Sequence, residues 1–313
     1  MNAKTVATRF LEQAHRIIVG QDEPLRLAFL CLLTEGHLLL EGVPGTAKTL
    51  LARAVARLVR GSFTRIQFTP DLMPSDLLGT SVYEIATSRF TLRLGPIFAN
   101  IVLADEVNRA PAKTQSALLE AMEERQVTLE GAARPLPRPF LVLATQNPVE
   151  YEGTYPLPEA ELDRFLFKAL VRYPAAGEET AILRLHDGGK NPRDTLESLE
   201  PLAEGALGEA RREADSTTVA DDVLRYVVAI VESSRKSPDL HLGASPRAGV
   251  HLLRAAKANA AVDGRDFVTP DDVKTLAAPV LRHRFVLKPE AEIEGLDADA
   301  VVARILSRVE VPR

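Results

Sequence analysis

The chain has 313 residues, of which 46% are hydrophobic and 26% are charged, and its formal net charge is −5. This length predicts two domains, and the mild acidity argues against a general nucleic-acid surface while leaving room for a local basic patch. The single cysteine, Cys31, excludes an intramolecular disulfide. No apolar run is long enough to span a membrane. We therefore expect a cytoplasmic protein without membrane insertion.

Two amphipathic helices are predicted at the start of the chain, over residues 5–18 and about 24–34, because apolar residues recur there at helical spacing. The turn Gly20-Gln21 separates them and lies upstream of a glycine-rich loop. Such a turn could contact the base of a nucleotide bound at that loop, or it could form an ordinary corner between helices. The pattern leaves both possibilities open.

The glycine-rich loop follows the apolar run Leu38-Leu39-Leu40 and precedes a helix-like segment over residues 50–58. This order of strand, loop and helix turns backbone N–H groups inward and adds the positive end of the helix dipole, so a polyphosphate would bind there. Lys48 would reach the β- and γ-phosphates, and the Thr49 hydroxyl would bind Mg²⁺. The predicted nucleotide-binding residues are Gly42, Val43, Pro44, Gly45, Thr46, Ala47, Lys48 and Thr49.

Ala47 stands where the phosphate-loop pattern usually has a second glycine. If this residue has a negative φ at the start of the helix, alanine fits and is the better helix former, so we expect weak consequences. The alternative for the whole loop is a glycine turn that opens an ordinary helix.

The next segment predicts a strand over residues 63–68 and a short helix over 71–79 that ends at its glycine. Two short β-like pieces between residues 80 and 96 form an insertion. A strong amphipathic helix is then predicted over 115–125, and a hairpin follows over 126–139.

Acidic and amide side chains follow two apolar strands. Asp105 and Glu106 follow the run 99–104, and Asn147 follows the run 140–146. The carboxyl ends of parallel strands meet at one edge of a sheet, so we expect Asp105 to hold Mg²⁺ through water, Glu106 to polarise an attacking water, and Asn147 to orient that water or bind the γ-phosphate. The alternatives are a solvated Asp-Glu turn and an Asn-Pro turn.

A Pro/Ala/Gly segment near residue 174 is the predicted domain boundary, and the pattern beyond it is helical. Ser245 and Pro246 are typical of a helix start and place Arg247 in the first turn. A cation is disfavoured there, which indicates that Arg247 faces an anion, although a plain surface arginine remains the alternative. The predicted helices after the boundary cover about 177–186, 218–235, 246–262, 270–283 and 297–309.

Taken together, these residues resemble the MoxR family of AAA+ ATPases, and the match runs in the family's order from near the start of the chain into the second domain. In that family, alanine is the usual residue at the place of Ala47. The motifs that carry the resemblance are Gly-x-Pro-Gly-x-Ala-Lys-Thr at 42–49, Leu-Ala-Asp-Glu-Val-Asn-Arg-Ala at 103–110, Ala-Thr-Gln-Asn-Pro at 144–148, Leu-Asp-Arg-Phe at 162–165 and Gly-Ala-Ser-Pro-Arg-Ala at 243–248.

The resemblance implies an α/β fold in which an AAA+ αβα P-loop core with a parallel sheet, residues 1–174, precedes an all-helical lid domain, residues 175–313. It implies that 80–95 is the helix-2 insert and 126–139 the pre-sensor hairpin. The implied roles are Walker A for Lys48 and Thr49, Walker B for Asp105 and Glu106, sensor 1 for Asn147, sensor 2 for Arg247 and, acting in trans on the nucleotide of a neighbouring subunit, the arginine finger for Arg164. A weaker implication is that Asn108 and Arg109 couple hydrolysis to the adjacent subunit.

The function that the resemblance implies is Mg²⁺-dependent ATP hydrolysis by a homo-oligomer, usually a hexameric ring, that remodels or activates a protein client. A protein with a von Willebrand factor A domain is the expected partner. The alternatives are a metal-chelatase-like motor subunit and a nucleic-acid-directed motor. The hairpin has Arg134 and Arg138 but no aromatic residue before Phe140, and the chain is acidic. We therefore expect no nucleic-acid partner. A non-hydrolysing scaffold would lack the acidic pair or the finger.

Overall fold

A computed structural model describes residues 1–147, 155–187 and 192–312. The strands in these residues are β1 (Leu38–Glu41), β2 (Phe63–Gln67), β3 (Gly79–Glu84), β4 (Arg89–Leu94), β5 (Ile101–Asp105), β6 (Gln126–Leu129), β7 (Ala132–Pro135), β8 (Leu141–Gln146), β9 (Phe167–Leu170), β10 (Leu240–Leu242) and β11 (Val286–Leu287).

Helices make up most of the remaining described chain, and none of those in the described ranges is long and apolar enough to cross a membrane. They are α1 (Ala3–His15), α2 (Asp22–Thr34), α3 (Lys48–Leu58), α4 (Pro74–Leu78), α5 (Ala112–Glu124), α6 (Glu159–Leu162), α7 (Ala176–Asp187), α8 (Pro192–Glu197), α9 (Ala206–Ser216), α10 (Asp221–Arg235), α11 (Pro246–Val262), α12 (Pro270–Leu281), α13 (Pro289–Ile293) and α14 (Ala298–Arg308).

Five parallel strands form the central sheet in the order β2-β5-β8-β1-β9. The register aligns Leu38 of β1 with Leu143 of β8, and Leu103 of β5 with the same residue. The carboxyl ends of β1, β2, β5 and β8 therefore lie along one edge. The predicted parallel sheet is confirmed, and β9 is an addition that the sequence did not predict.

Alternate residues of the central strands enter two different cores. In β1, Leu38 and Leu40 face the core that contains α1, α2 and α3, whereas Leu39 faces the core that contains α4 and α5. Both sides of the sheet are buried, as a parallel sheet covered by helices requires. The predicted insertion and hairpin are the antiparallel pairs β3–β4 and β6–β7.

Within its described residues, the second region is helical with one small antiparallel pair, β10–β11, that the sequence did not predict. Its helices α9 and α11 pack against α1 and α2, and their buried alanines belong to the same hydrophobic core as those two helices. The boundary at residue 174 stays a prediction, since this core runs continuously from the first helices into the second region.

A buried histidine, His37, joins the start of β1 to α5 and β8. The Val142 amide donates to His37 Nδ1 at 3.0 Å, and His37 Nε2 lies 3.1 Å from the Met122 carbonyl oxygen. These partners assign the neutral tautomer with its proton on Nε2. Burial lowers the pKa of His37 to about 4. The hydrogen bond to the Met122 carbonyl raises this pKa, and the positive charge of Arg125 lowers it further.

The free energy of unfolding is therefore expected to fall as the pH drops. The folded-state pKa of His37 is below its ordinary value of 6.5, so its contribution is complete above about pH 6.5 and is lost as the pH falls through about 4. A shift of this size corresponds to roughly 3 kcal/mol. Urea unfolding of the wild type and of His37→Gln at pH 7 and pH 4 measures it: the variant should lose less stability, and equal losses would contradict this assignment.

Candidate active site

A cavity of about 550 Å³ opens at the carboxyl ends of the central strands, beside the glycine-rich loop. Its polar side is formed by the loop and by residues at the carboxyl ends of β5 and β8, and its apolar side is formed by residues just after α1 and by α7. The residues that line it include Ile17, Ile18, Gln21, Pro44 to Leu50, Arg65, Asp105, Glu106, Thr145, Asn147, Ile182 and Leu185.

The loop joins β1 to α3 and has positive φ at two positions. Gly45 has φ of +84°, with open space where a Cβ would stand. Ala47, the N-cap of α3, has φ of 60°, so the premise of a negative φ at this residue was wrong. A left-handed conformation costs alanine about 1 kcal/mol relative to glycine. A different constraint applies to Gly42, because a Cβ there would clash with the Val171 carbonyl oxygen just after β9.

Lys48 begins α3 and is half-buried in the cavity. Its ammonium donates to the carbonyl oxygens of Gly42 and, at 3.0 Å, Val43. Burial lowers the pKa of Lys48, whereas the carboxylates of Asp105 and Glu106 act in the opposite direction. The ammonium therefore lies between the loop carbonyls and two acids, where it could neutralise phosphate charge.

Asp105 ends β5 with both carboxylate oxygens in hydrogen bonds. The Thr145 hydroxyl donates to Oδ1 at 2.6 Å, and Arg65 donates to Oδ2 from Nε at 3.0 Å and from Nη2 at 2.6 Å. Together with the Thr49 hydroxyl, this carboxylate forms a set of hard oxygen donors, the type that Mg²⁺ prefers. The donor chemistry fits a magnesium ion. When the metal binds, Arg65 would either keep its hydrogen bonds to Asp105 alongside the metal or release them.

Glu106 follows Asp105 in the left-handed region, with φ of 55°. Its amide donates to the Thr145 hydroxyl at 2.8 Å, so Thr145 ties the two acids to β8. Its Oε2 accepts from Gln67 at 2.8 Å and from Arg109 at 3.0 Å. The predicted base is therefore at the cavity, with one oxygen held by two donors.

Asn147 lies directly after β8, is buried and lines the same cavity. This is the edge that the sequence predicts for it; Pro148, the next residue of the motif, lies outside the described residues. Of the Gly20-Gln21 turn, Gln21 lines the cavity and donates to the Arg172 carbonyl oxygen at 3.3 Å. Contact of this turn with a nucleotide base stays a prediction.

The two predicted arginines lie elsewhere. Within the described residues, neither Arg164 nor Arg247 lines the loop cavity, and both line a second one of about 140 Å³. Arg164 Nε lies 3.3 Å from Glu123 Oε2, and Arg247 Nη2 pairs with Glu123 Oε1. The anion expected opposite Arg247 is thus, in a single chain, the carboxylate of Glu123. Arg247 is therefore apart from the glycine-rich loop within a single chain, and its role at a nucleotide stays a prediction.

Several residues at the site were missed by sequence reasoning. Arg65 and Gln67 lie at the carboxyl end of β2, beside β5, and Thr145 is a polar residue near the end of a buried strand. A strand order would have found all three, because they share an edge with Asp105. Nothing local marks Ile182 and Leu185, whose place in the cavity depends on how α7 packs.

Known families match most of the chain. Residues 37–167 match the family described as "ATPase family associated with various cellular activities (AAA)", and residues 232–305 match the AAA lid domain. Both regions correspond to parts of the fold described above: the first holds β1, β2, β5 and β8 of the central sheet and the glycine-rich loop, and the second holds α11, α12 and most of α14. The expected fold class, an AAA+ core with a parallel sheet followed by a helical lid, is confirmed, and the sheet has five strands.

Individual relatives extend the match over nearly the full length. The chain is 49% identical to YeaC of Bacillus subtilis, over 96% of this chain and 93% of that protein. It is 46% identical to the chaperone MoxR1 of Mycobacterium tuberculosis, over 97% and 82% of the two chains. A crystal structure of a Cytophaga hutchinsonii protein superposes with a TM-score of 0.87 at 39% identity, covering 99% of this chain and 96% of that one. With these similarities and the loop, acids and sheet order of the site, the chain belongs to the MoxR family of AAA+ ATPases.

Proposed function

We propose that this protein hydrolyses ATP with Mg²⁺ in a ring of identical subunits, usually six in this family, and uses the hydrolysis to remodel a protein client. The observation that carries the proposal is the division of the site: the loop, Asp105, Glu106 and Asn147 share one cavity, and Arg164 and Arg247 lie outside it. Such a site is complete only when a second copy supplies the arginines.

The loop and Lys48 would bind the phosphates of ATP through backbone N–H groups and one ammonium. Thr49, and Asp105 through water, would hold Mg²⁺, which when bound supplies positive charge to the β- and γ-phosphates. The apolar wall formed by Ile17, Ile182 and neighbouring side chains suits the flat, apolar face of adenine.

Glu106 would accept a proton from the attacking water, and Asn147 would orient that water. The hydrogen bonds from Gln67 and Arg109 hold Oε2 of the Glu106 carboxylate in place. Because both bonds are to Oε2, Oε1 is the oxygen that would accept the proton. Arg109 reaches Glu106 from the segment just after β5, which supports a coupling role for that residue.

Arg164 and Arg247 would act together, and in trans. Both belong to one surface that is partly exposed, with 30% and 42% of their side chains accessible. Two guanidinium groups side by side can neutralise the charge that develops on a γ-phosphate in the transition state. This moves the proposed action of Arg247 from its own nucleotide to that of the neighbour.

The proposed output is maturation or activation of a partner protein in the cytoplasm, with a von Willebrand factor A domain protein as the expected partner. Support comes from the family and from the name of the M. tuberculosis relative, a chaperone. The β3–β4 insert adds an exposed apolar surface, since Tyr83, Ile85 and Phe90 are 50%, 87% and 73% exposed. Exposed apolar patches of this kind commonly contact other proteins.

The same insert gives one reason to keep the nucleic-acid motor as a second candidate. The rings of Tyr83 and Phe90 lie 5.2 Å apart, and β4 also carries Arg89 and Arg93 on its other face. Aromatic and basic residues in this mixture can bind single strands by stacking and charge. Salt-dependent binding of single-stranded DNA that is lost in Phe90→Ala would favour this candidate over a protein client.

Replacing Lys48 with alanine tests the nucleotide site. The variant loses the ammonium that binds phosphate, so we expect ATP affinity to fall roughly 100-fold or more and turnover to disappear. Titration calorimetry measures the affinity, and the exposed Lys113→Ala in α5 is the control for loss of a lysine. An unchanged dissociation constant in Lys48→Ala would contradict the assignment of the loop.

A further inference from the structure

A buried arginine outside the proposed machinery, Arg284, holds the backbone on both sides of Arg164. Only 2% of its side chain is exposed. Its Nε donates to Asp163 Oδ1 at 2.6 Å, and its Nη2 donates to the carbonyl oxygens of Asp163 at 3.0 Å and Phe165 at 2.6 Å. One guanidinium therefore fixes the residues that precede and follow Arg164.

The same contacts reach the helix that carries Arg247. The second oxygen of Asp163 accepts from the Ser245 hydroxyl at 2.9 Å, and Ser245 is the N-cap of α11. Arg284 Nη2 also lies 2.5 Å from Nδ1 of His251, one turn beyond Arg247 in α11. Asp163 and Arg284 thus connect the segment of Arg164 to the first turns of α11.

The charges in this cluster balance at neutral pH. Burial lowers the pKa of Arg284 to about 10, against the effect of Asp163, so the guanidinium stays charged. Burial, and then the charge of Arg284, lowers the pKa of His251 to about 3, so its ring is neutral and can accept the hydrogen bond. A buried ion pair contributes little net stability because desolvation offsets the attraction, so we infer that the main effect of this pair is to fix geometry.

We propose that Arg284, through Asp163, is a positioning residue that sets the relative placement of Arg164 and Arg247 for action on the neighbour's nucleotide. The inference rests on the proposed ATPase function. The planar fork of the guanidinium bonds a carboxylate and two carbonyl oxygens at once, which the single ammonium of a lysine cannot reproduce. Arg164 and Arg247 would keep their chemistry without it but would lose their alignment.

Arg284→Lys tests the proposal in the full chain. We expect kcat for ATP hydrolysis to fall about 10- to 100-fold, as displaced catalytic groups cause, while the dissociation constant for ATP changes less than about twofold. Arg265→Lys is the matched control. Arg265 donates to the buried carboxylate of Asp272 at 2.6 and 2.7 Å within the second region, and it contacts neither Arg164 nor α11's first turn. Its kcat should stay close to that of the wild type.

Mixing experiments separate positioning in trans from damage to the fold. When Arg284→Lys is mixed with Glu106→Gln, its intact Glu106 can meet an intact Arg164 from the other variant, so turnover should rise above that of either variant alone. No recovery, or equal losses of kcat in Arg284→Lys and Arg265→Lys, would overturn the proposal. Absence of hydrolysis by the wild type would instead refute the proposed function.

A smaller change keeps the test usable if Arg284→Lys does not fold. Ser245→Ala removes only the hydroxyl that binds Asp163, and it should lower kcat about 3- to 10-fold, with the same recovery on mixing. Asp297→Ala is its control, since Asp297 caps α14 through the Ala300 amide at 2.7 Å and is unrelated to the arginines. Equal kcat values in the two cap variants would count against the proposal.

Discussion

Arg164→Ala is expected to lower kcat for ATP hydrolysis by about 10³-fold while leaving ATP affinity nearly intact. Arg164 lies in a cavity separate from that of the glycine-rich loop, so its loss does not disturb binding in its own chain. It removes a positive charge that would stabilise the transition state in the neighbouring chain. Steady-state turnover gives kcat, and calorimetry gives the dissociation constant.

Two controls define this experiment. Arg308→Ala removes an exposed arginine at the end of α14 and should leave both constants unchanged. Mixed rings of Arg164→Ala and Glu106→Gln should recover activity, because a site with intact Glu106 can then receive an intact Arg164. If mixing restores nothing under conditions of subunit exchange, the arrangement in trans loses its support.

Glu106→Gln is expected to reduce kcat by about 10²- to 10³-fold, since an amide cannot accept the proton of the attacking water. The substitution preserves shape, and its oxygen can still accept from Gln67 and Arg109, so we expect ATP to bind normally. Glu120→Gln, an exposed position on α5, is the matched control. Equal turnover in the wild type and Glu106→Gln would refute the role of general base.

The slowly hydrolysing Glu106→Gln variant also gives access to the client. With ATP bound it should hold the ring in one state, and a pull-down should enrich a protein with a von Willebrand factor A domain. Lys48→Ala, which should not bind ATP, is the comparison. Equal capture by the two variants would mean that the interaction does not depend on the nucleotide, contrary to the proposed remodelling.

Most elements of the fold follow from local sequence patterns. The strand before the glycine-rich loop, the strand ending at Asp105 and the long helices of the second region lie within a few residues of their predicted places. β9 was missed because it has four residues and Lys168 interrupts its apolar pattern. α9 was missed because only small residues mark its buried face: Ala206, Ala210 and Ala214.

The candidate site also has a part that the sequence predicts and a part that it does not. The loop, Asp105, Glu106 and Asn147 were brought to one edge by strand order, which a parallel sheet imposes on residues at carboxyl ends. The pairing of Arg164 and Arg247 on Glu123 depends on how the second region packs on the first, and no short-range pattern reports that. The positive φ of Ala47 is likewise a property of the folded loop, since its identity as alanine favours the opposite sign.

The core that α1 and α2 share with α9 and α11 affects how a conformational change could be transmitted from one subunit to the next. Close-packed interiors deform little, so helices joined by one such core are expected to turn together as a rigid body. Nucleotide-driven displacement would then occur at the contacts between copies, where Arg164 and Arg247 are proposed to act on a neighbour, rather than at a hinge within the chain. In such a ring each subunit would rotate as a rigid body relative to the copy beside it. The exposed β3–β4 insert would move with the subunit that carries it.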